Sequence, residues 1–427
     1  MKSKKKYIFI ITILLLCSII MYLLNENHDL KESSNNYENN KVTKRENMLS
    51  MMLETEANSG NYEMTTRESW PAEGYKFNNE LSKCENGGEV YWDNENKKVF
   101  MSSNSSDKCY VYFDVIPTIA DFCSSGNNLA SCLITLANNG GPNKTNIYYH
   151  DTNLVNGAED NSYRYAGASE NVNNFVCFGT NTTPCPTDNL YRIIGVFGDQ
   201  VKLIKYDYAN SNLLGTDGNY STNVFAKSDN STYKGELTTI NKYYWNNSTQ
   251  TNTWSESNLN KVNLNTNFIN NIRSEWAKKI ATTTWKVGGN TNDIIAEVTP
   301  SVAYQNEIVN PVTTNTTDGE TEYRAKIGLM YVSDYGFAAA PSAWTRALYE
   351  YGGISSSNWM YMGPQEWTIS RVADDSYAAF LVDFGGGVYG DGVVDTHDYG
   401  VRPSFNLLSS VTYVEGDGTK NLPIRIN

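Results

Sequence analysis

Apolar residues are most concentrated near the start of the chain. Residues 7–24 contain no charged residue, and four lysines lie among the six residues before them. A continuous apolar run of about 18 residues is close to the shortest that crosses a bilayer as a helix. The lysines predict that the N-terminus stays inside, and residues 25–29 lack a small-residue cleavage pattern. We therefore expect residues 1–24 to form an uncleaved, single-pass signal anchor, with residues 25–427 outside the cell.

The segment that follows is polar and has no sustained periodicity. Residues 25–69 carry charges of both signs and predict a stalk or linker. Within them, NMLSMMLETEA (residues 47–57) is rich in apolar residues, and we interpret it as one short helix.

Alternating apolar and polar positions predict a small β-module over residues 70–115. The runs Glu89–Trp92, Lys98–Met101 and Tyr110–Phe113 alternate with a period of two and are separated by turns rich in Gly, Asn and Asp. Three or more short strands are expected. A module of about 45 residues is too small for a comfortable core of its own, so a crosslink would be physically useful.

Helical spacing and hairpin patterns alternate from residue 116 onward. Ile116–Leu136 has apolar residues at helical spacing and predicts one or two short helices in a connector over residues 116–144. Leu190–Tyr206 predicts a hairpin that turns at Gly198-Asp199. Trp245–Trp276 predicts a helix, with Ser255 as a plausible N-cap.

The C-terminal third predicts a loop followed by short strands. Residues 291–322 are rich in Thr and Asn and are expected to form a loop. The expected strands are IGLMYVS (327–333), NWMYMG (358–363), EWTISR (366–371), AAFLVDF (378–384) and VRPSFNLL (401–408). The fold class is therefore α+β, and the tryptophans spread through this region are expected to fill an aromatic core.

Six cysteines lie beyond the expected anchor: Cys84, Cys109, Cys123, Cys132, Cys177 and Cys185. An even number in an exported chain indicates disulfides. Fifteen pairings are possible, and we favour bonds between sequence neighbours, which would staple the β-module and close two short loops. Zinc is the alternative, but C-x-x-C spacing is absent and the chain has three histidines. No cofactor is expected.

The charge balance limits the partners. Beyond residue 24 the chain has 30 basic and 47 acidic residues, a net charge of −17. Such a balance argues against nucleic acid or an anionic membrane surface as a partner. Membrane contact is expected through residues 7–24 alone. The abundance of Asn, Ser, Thr and Tyr is typical of a bacterial protein from an AT-rich genome.

Several segments together carry a resemblance to a family: YRIIGVFG (191–198), VKLIK (201–205), KIGLMYVSDYGFAA (326–339), EWTISR (366–371), AFLVDFGGGVYGDG (379–392) and YGVRPSFNL (399–407). They resemble bacterial surface domains of unknown function that look like the C-type-lectin-like fold, which formylglycine-generating enzymes and bacterial variable receptors share. The resemblance covers residues 145–427, and the segment before it resembles a module that often precedes such domains. It implies that long loops bind ligands. Formylglycine-generating activity is not expected, because every cysteine precedes residue 186.

The stretch 383–407 is the candidate site. The resemblance implies that GGGVYGDGVVDTHDY is a solvent-facing hairpin and loop, and that the chain re-enters the sheet at Arg402, which is expected to pair with a buried carboxylate or with backbone carbonyls. Tyrosines and short polar groups are typical of binding loops. The candidate ligand-binding residues are Tyr389, Asp391, Asp395, His397, Asp398 and Tyr399.

Calcium is the one metal that this stretch suggests. GDGVVDTHD (390–398) is similar to the second half of an EF-hand loop, with Asp391, Asp395 and Asp398 as oxygen ligands. Two ligand positions at the start of such a loop are occupied by Gly387 and Tyr389, so the motif is incomplete. A looser calcium site built from the three aspartates is the remaining alternative.

The sequence favours a binding protein over an enzyme. It contains no G-x-S-x-G, H-E-x-x-H or P-loop motif, and no catalytic residue is assigned. We expect a membrane-anchored bacterial surface protein that binds an extracellular glycan or protein, in an adhesive role. The alternatives are a structural, pilus-like surface component without a specific ligand and a carboxylate-dependent hydrolase.

Overall fold

The computed structural model describes residues 48–65, 74–93, 96–102, 106–229, 231–291, 297–313 and 319–427. These residues adopt a mixed α+β fold that consists mostly of strands and loops, which confirms the predicted fold class. Within the described ranges, no helix combines the length and the apolar character needed to cross a membrane. The expected anchor and most of the expected stalk lie outside the described residues. The chain divides into two compact units between Val115 and Ile116.

The first unit is built from strands. They are β1 (Met48–Glu54), β2 (Tyr62–Thr65), β3 (Tyr75–Cys84), β4 (Glu89–Asp93), β5 (Lys98–Ser102) and β6 (Lys108–Val115). Four of them form a sheet in the order β2-β1-β6-β3, and β4 pairs with β5 as a separate hairpin. The three strands predicted in this module are confirmed.

The prediction of a short helix in residues 47–57 is wrong. Met48–Glu54 is a strand that runs parallel to β6, with Met51 opposite Val111. Both residues are buried in the core of the module, together with Phe113. The sheet therefore extends into the segment that was expected to be stalk, because pairing with a distant strand decided the conformation of a short apolar run whose local pattern was ambiguous.

The strands of the second unit are short and numerous. They are β7 (Ile147–Tyr149), β8 (Tyr163–Tyr165), β9 (Phe175–Cys177), β10 (Leu190–Phe197), β11 (Gln200–Lys205), β12 (Tyr220–Ala226), β13 (Thr239–Tyr244), β14 (Thr283–Lys286), β15 (Gly289–Asn290), β16 (Glu322–Ala325), β17 (Ile327–Gly328), β18 (Glu366–Val372), β19 (Ala378–Val382), β20 (Val388–Val393), β21 (Asp398–Tyr399), β22 (Ser404–Asn406), β23 (Tyr413–Glu415) and β24 (Arg425–Ile426).

Its helices are also short. The α-helices are α1 (Leu129–Gly140), α2 (Pro142–Thr145), α3 (Ser211–Leu214), α4 (Ile269–Asn271), α5 (Ser274–Ala277), α6 (Pro300–Tyr304) and α7 (Val332–Phe337). Two π-helices span Leu259–Phe268 and Gln305–Val309. The 3₁₀-helices are Ile119–Asp121, Ser169–Asn171, Thr187–Asn189, Lys227–Asp229, Pro341–Ala343 and Leu348–Ser357.

Two sheets organise the core of the second unit. The larger has the order β17-β22-β11-β10-β8-β7, with β9 also paired to β10, and a second has the order β15-β18-β19-β20. The predicted hairpin at Gly198-Asp199 is confirmed as β10–β11. Almost every residue of β10, β11, β18 and β19 is buried, including the polar residues of β11 and β18. The predicted aromatic core is confirmed for the tryptophans at 245, 254, 276, 285, 344, 359 and 367, all buried.

Several element boundaries differ from the prediction. The helix expected from Ser255 begins at Leu259, so Ser255 is not its N-cap. The expected loop 291–322 contains α6, which Thr299 caps through a hydrogen bond from the Val302 amide. The expected strand 327–333 ends at Gly328 and α7 begins four residues later, while residues 358–363 form no strand. Caps and tertiary packing outweighed β-propensity at these places.

The cysteines pair as sequence neighbours. The bonds are Cys84–Cys109, Cys123–Cys132 and Cys177–Cys185. The predicted pairing is therefore confirmed, and the zinc alternative is wrong for these six residues because each is engaged in a disulfide.

Removal of the first disulfide is expected to destabilise the first unit. In the Cys84→Ala/Cys109→Ala variant, the loss of a crosslink across 25 residues should lower the free energy of opening of β6 by about 2–4 kcal/mol. Hydrogen exchange of the β6 amides measures this energy. The matched Cys177→Ala/Cys185→Ala variant should leave β6 exchange unchanged, and equal effects in both variants would contradict the prediction.

Candidate functional site

The candidate stretch begins with a tight turn between β19 and β20. The Asp383 amide donates to the Gly387 carbonyl at 2.9 Å, and the Gly386 amide donates to the Asp383 carbonyl at 2.8 Å. Gly386 has φ +94°, and a Cβ there would lie 3.1 Å from the Tyr335 hydroxyl oxygen. Glycine is required at this position, both for its backbone conformation and for the space. The predicted hairpin in this stretch is thus present, and its turn presents Phe384 to solvent.

Four aromatic side chains, two exposed and two half-buried, lie at this turn. Phe384 and Phe225 pack edge to face with ring centroids 5.5 Å apart, and Tyr349 and Tyr389 do the same at 5.0 Å. Phe384 is 39% exposed and Tyr349 is 45% exposed. The turn contacts both pairs. Phe384 belongs to the turn, and Gly387 packs closely against the backbone of Tyr349, because a Cβ on Gly387 would lie 2.7 Å from the Tyr349 carbonyl oxygen. We call Phe225, Tyr349, Phe384 and Tyr389 the aromatic turn surface.

The six predicted site residues fall in β20, in the turn after it and in β21: Tyr389, Asp391, Asp395, His397, Asp398 and Tyr399. Asp391 lies in β20, and Tyr389 and Asp395 are half-buried. His397 is exposed, and its Nδ1 accepts a hydrogen bond from the Val393 amide at 3.0 Å. Asp398 and Tyr399 form β21 and are buried. The expectation of one solvent-facing loop is therefore wrong for these last two residues, because β21 pairs with β13.

Protein groups satisfy the buried Asp398 carboxylate. It accepts hydrogen bonds from the Ser221 hydroxyl, from Asn223 Nδ2 at 2.7 Å and from Lys242 Nζ at 3.0 Å. Burial favours the neutral acid, but these hydrogen bonds outweigh it, so the pKa of Asp398 lies below its usual range. An ionised, fully engaged carboxylate of this kind holds β21 against β12 and β13. Because protein groups already engage this carboxylate, Asp398 does not support the calcium hypothesis.

One cluster in the described ranges has the spacing of three possible metal ligands, namely Cys84, Asp107 and Cys109. The two sulfurs are bonded to each other. Asp107 accepts hydrogen bonds from the amides of Asn86 and Gly88 at 2.8 and 2.9 Å. These residues therefore form a stapled turn and do not fit a metal ion.

Arg402 forms the ion pair that its position predicts. Its Nε donates to Glu366 Oε1 at 2.8 Å, and a terminal nitrogen donates to the Met360 carbonyl at 2.6 Å. Both charged side chains are almost completely buried. Burial raises the pKa of the Glu366 carboxyl, with Arg402 opposing this. The predicted structural role of Arg402 is confirmed.

A second buried group of charges lies at the start of α7. Asp334 accepts from Lys202 Nζ at 2.5 Å and from the Tyr331 amide at 3.0 Å, and Arg164 approaches it at 3.6 Å. Glu307 accepts from the amides of Val332 and Ser333 at 3.1 and 3.0 Å. These two carboxylates thus satisfy amides of the first turn of α7.

This buried group was not predicted from the sequence. Burial raises the pKa of Glu307 to about 7, although hydrogen bonds from Ser333 and Ser370 pull it down. The available signal was an isolated cation within an apolar strand, as Lys202 is in VKLIK. Because all these side chains are buried, we assign them to stability and not to chemistry.

Comparisons with known proteins give no relative for this chain: no family model, no curated protein and no solved structure matches it.

Proposed function

We propose that this chain is a membrane-anchored bacterial surface protein whose second unit binds an extracellular protein through the aromatic turn surface. The observation that supports the proposal is the exposure of Phe384, in the turn between β19 and β20, and of Tyr349, in the neighbouring 3₁₀-helix Leu348–Ser357. Aromatic residues are enriched where protein interfaces gain most of their energy. Tyrosine and phenylalanine also lose little conformational entropy on binding.

The location outside the cell rests on the apolar N-terminal run and on the disulfides. Disulfides persist in oxidising compartments and are rare in the cytosol, and three are present. A lectin-like fold for the second unit belongs to the same proposal, supported by short antiparallel strands joined by long irregular connections. Folds of this organisation place binding residues on loops that a rigid sheet holds in position.

Loss of the aromatic turn surface is expected to abolish most of the binding. For the full-length chain in nanodiscs, we expect saturable binding to at least one member of an array of purified extracellular proteins. Tyr349→Ala/Phe384→Ala should weaken that binding by about 10- to 100-fold, because removed aromatic anchors typically cost more than 1 kcal/mol each. Surface plasmon resonance measures the change.

A matched control tests whether the loss of binding is specific to this surface or follows from the removal of any exposed aromatic side chain. Tyr377 is 59% exposed and is not part of the aromatic turn surface, so Tyr377→Ala should bind like the unmodified chain. Equal losses in both variants would contradict the assignment. Self-assembly of the chain without saturable binding to any array member would favour the structural, pilus-like alternative.

A further inference from the structure

A cleft of about 410 Å³ lies in the second unit where β7 and β8 meet α1 and α2. It is separate in sequence from the aromatic turn surface. The lining that bears on its chemistry is aromatic and polar: Asn138, Tyr148, Tyr149, Asp151, Asn153 and Tyr163. A concave surface with aromatic walls and a few polar groups is the usual form of a small-ligand site.

Two stacked tyrosines form an aromatic platform in this cleft. Tyr149 and Tyr163 are direct cross-strand partners in the β7–β8 pair, and their rings stack at 4.6 Å with an angle of 29°. The Tyr149 hydroxyl donates to Asn161 Oδ1 at 3.0 Å, and the Tyr163 hydroxyl donates to Asn138 Oδ1 at 3.3 Å. Hydrogen bonds therefore fix the hydroxyls of both stacked rings, while the Tyr149 side chain remains 40% exposed. A fixed, accessible ring needs little reorganisation to receive a flat ligand face.

A carboxylate lines the same cleft as the platform. Tyr148 precedes Tyr149 in the strand, so its side chain lies on the opposite face, against Trp344. The Asp151 carboxylate accepts from Asn153 Nδ2 at 2.9 Å, from the Asn153 amide at 3.0 Å and from the Leu154 amide at 3.1 Å.

The protonation state of Asp151 determines which charge and which hydrogen-bonding groups a ligand of this cleft can have. The hydrogen bond from the Asn153 side chain, aided by the backbone donors, lowers the pKa of Asp151, with burial opposing. Asp151 is therefore an ionised acceptor. It favours ligands that donate hydroxyl hydrogens and disfavours anionic ligands, including nucleotides, whose phosphates it would repel. The net charge of −17 outside the expected anchor acts in the same direction.

We infer that this cleft binds a neutral oligosaccharide, with the apolar face of one pyranose ring on Tyr149 and its hydroxyls hydrogen-bonded to Asp151. A pyranose has one face of C–H groups, which suits an aromatic ring, and a rim of hydroxyls, which suits a carboxylate. This site is independent of the aromatic turn surface, and either assignment can fail without the other.

Isothermal titration of the full-length chain tests the inference. The probes are chitotetraose, cellotetraose and maltotetraose, with tetragalacturonate as the anionic probe, in a detergent without a sugar head group. At least one neutral probe should bind saturably with a dissociation constant of about 10 μM to 1 mM. Tyr149→Ala should weaken this binding about 10-fold through loss of the stacking face.

Three further variants keep the test specific. Tyr149→Phe retains the ring and should bind within about 3-fold of the unmodified chain, which shows that the loss in Tyr149→Ala comes from the missing ring face. Tyr377→Ala and Tyr349→Ala/Phe384→Ala should bind the sugar normally. Absence of saturable binding to every neutral probe would overturn the inference, as would unchanged binding by Tyr149→Ala or tighter binding of tetragalacturonate.

Discussion

Replacement of Asp334 by asparagine is expected to lower the free energy of unfolding of the second unit by about 3–5 kcal/mol. Lys202 and Arg164 both face this carboxylate, at 2.5 and 3.6 Å, and all three side chains are almost completely buried. An asparagine keeps the size of the side chain but leaves the buried Lys202 without its anion, whereas Arg164 keeps Asp160 at 2.6 Å. It also weakens the hydrogen bond that Asp334 accepts from the Tyr331 amide at the start of α7. Urea unfolding followed by tryptophan fluorescence measures the loss.

An exposed ion pair of similar length provides the control. Lys286 Nζ lies 2.7 Å from Glu322 Oε2, but both side chains are substantially exposed. Glu322→Gln should therefore cost less than about 1 kcal/mol. Similar losses in the two variants would show that burial does not determine the importance of Asp334.

Features that local patterns specify were predictable from the sequence. The β10–β11 hairpin follows from two apolar runs around Gly198-Asp199, and Gly198 has the positive φ of +62° that the turn needs. The disulfides join cysteines at most 25 residues apart. Arg402 pairs as the resemblance implied, because a buried cation needs an anion or carbonyl oxygens, which Glu366 and Met360 supply.

Features that depend on distant pairing were not predictable in this way. β1 was taken for a helix because its partner β6 lies more than fifty residues away in the sequence. The burial of Asp398 depends on Ser221, Asn223 and Lys242, which are 156 to 177 residues away. A polar, glycine-containing stretch gives no local indication that such donors will cover it.

The tyrosine cleft illustrates the same limit at a candidate site. Tyr149 and Tyr163 belong to strands of three residues each, too short for a recognisable alternation. The available signal was weak: two tyrosine-containing triplets, IYY and YRY, flank a polar loop of the kind that joins a hairpin. The stacking of the two tyrosine rings, the depth of the cleft and the hydrogen-bond partners depend on the register of β7 and β8, which the sequence does not specify.

Stability close to this cleft is expected to depend on pH through His150. The His150 side chain is fully buried next to the rings of Phe337 and Trp344, and its Nδ1 accepts from the Ala158 amide at 3.0 Å. Burial, aided by the charge of Arg164, lowers the pKa of His150 from 6.5 to about 3. The folded state thus excludes a proton that the unfolded state binds. The stability that His150 contributes is complete above about pH 6.5 and is lost progressively as the pH falls toward 3.

Glu307 acts in the opposite direction over part of this range. Its carboxyl pKa is raised to about 7, so the folded state retains a proton that the unfolded state releases. Its contribution decreases as the pH rises from about 4.5 to about 7. The pH dependence of the unmodified protein therefore contains opposing contributions from His150 and Glu307, and a variant is needed to isolate the histidine.

The His150→Asn variant isolates the histidine. Asparagine retains a hydrogen-bond acceptor for the Ala158 amide but does not titrate, so the variant should keep the slopes due to Glu307 and the other titrating groups and lose that of His150. The difference in unfolding free energy between the unmodified chain and His150→Asn should shrink by about 2–3 kcal/mol from pH 6.5 to pH 4.5. Urea unfolding at half-unit pH steps measures it. A difference that stays constant over this range would mean that protonated His150 is tolerated in the folded state, and that acid instability near the cleft has another origin.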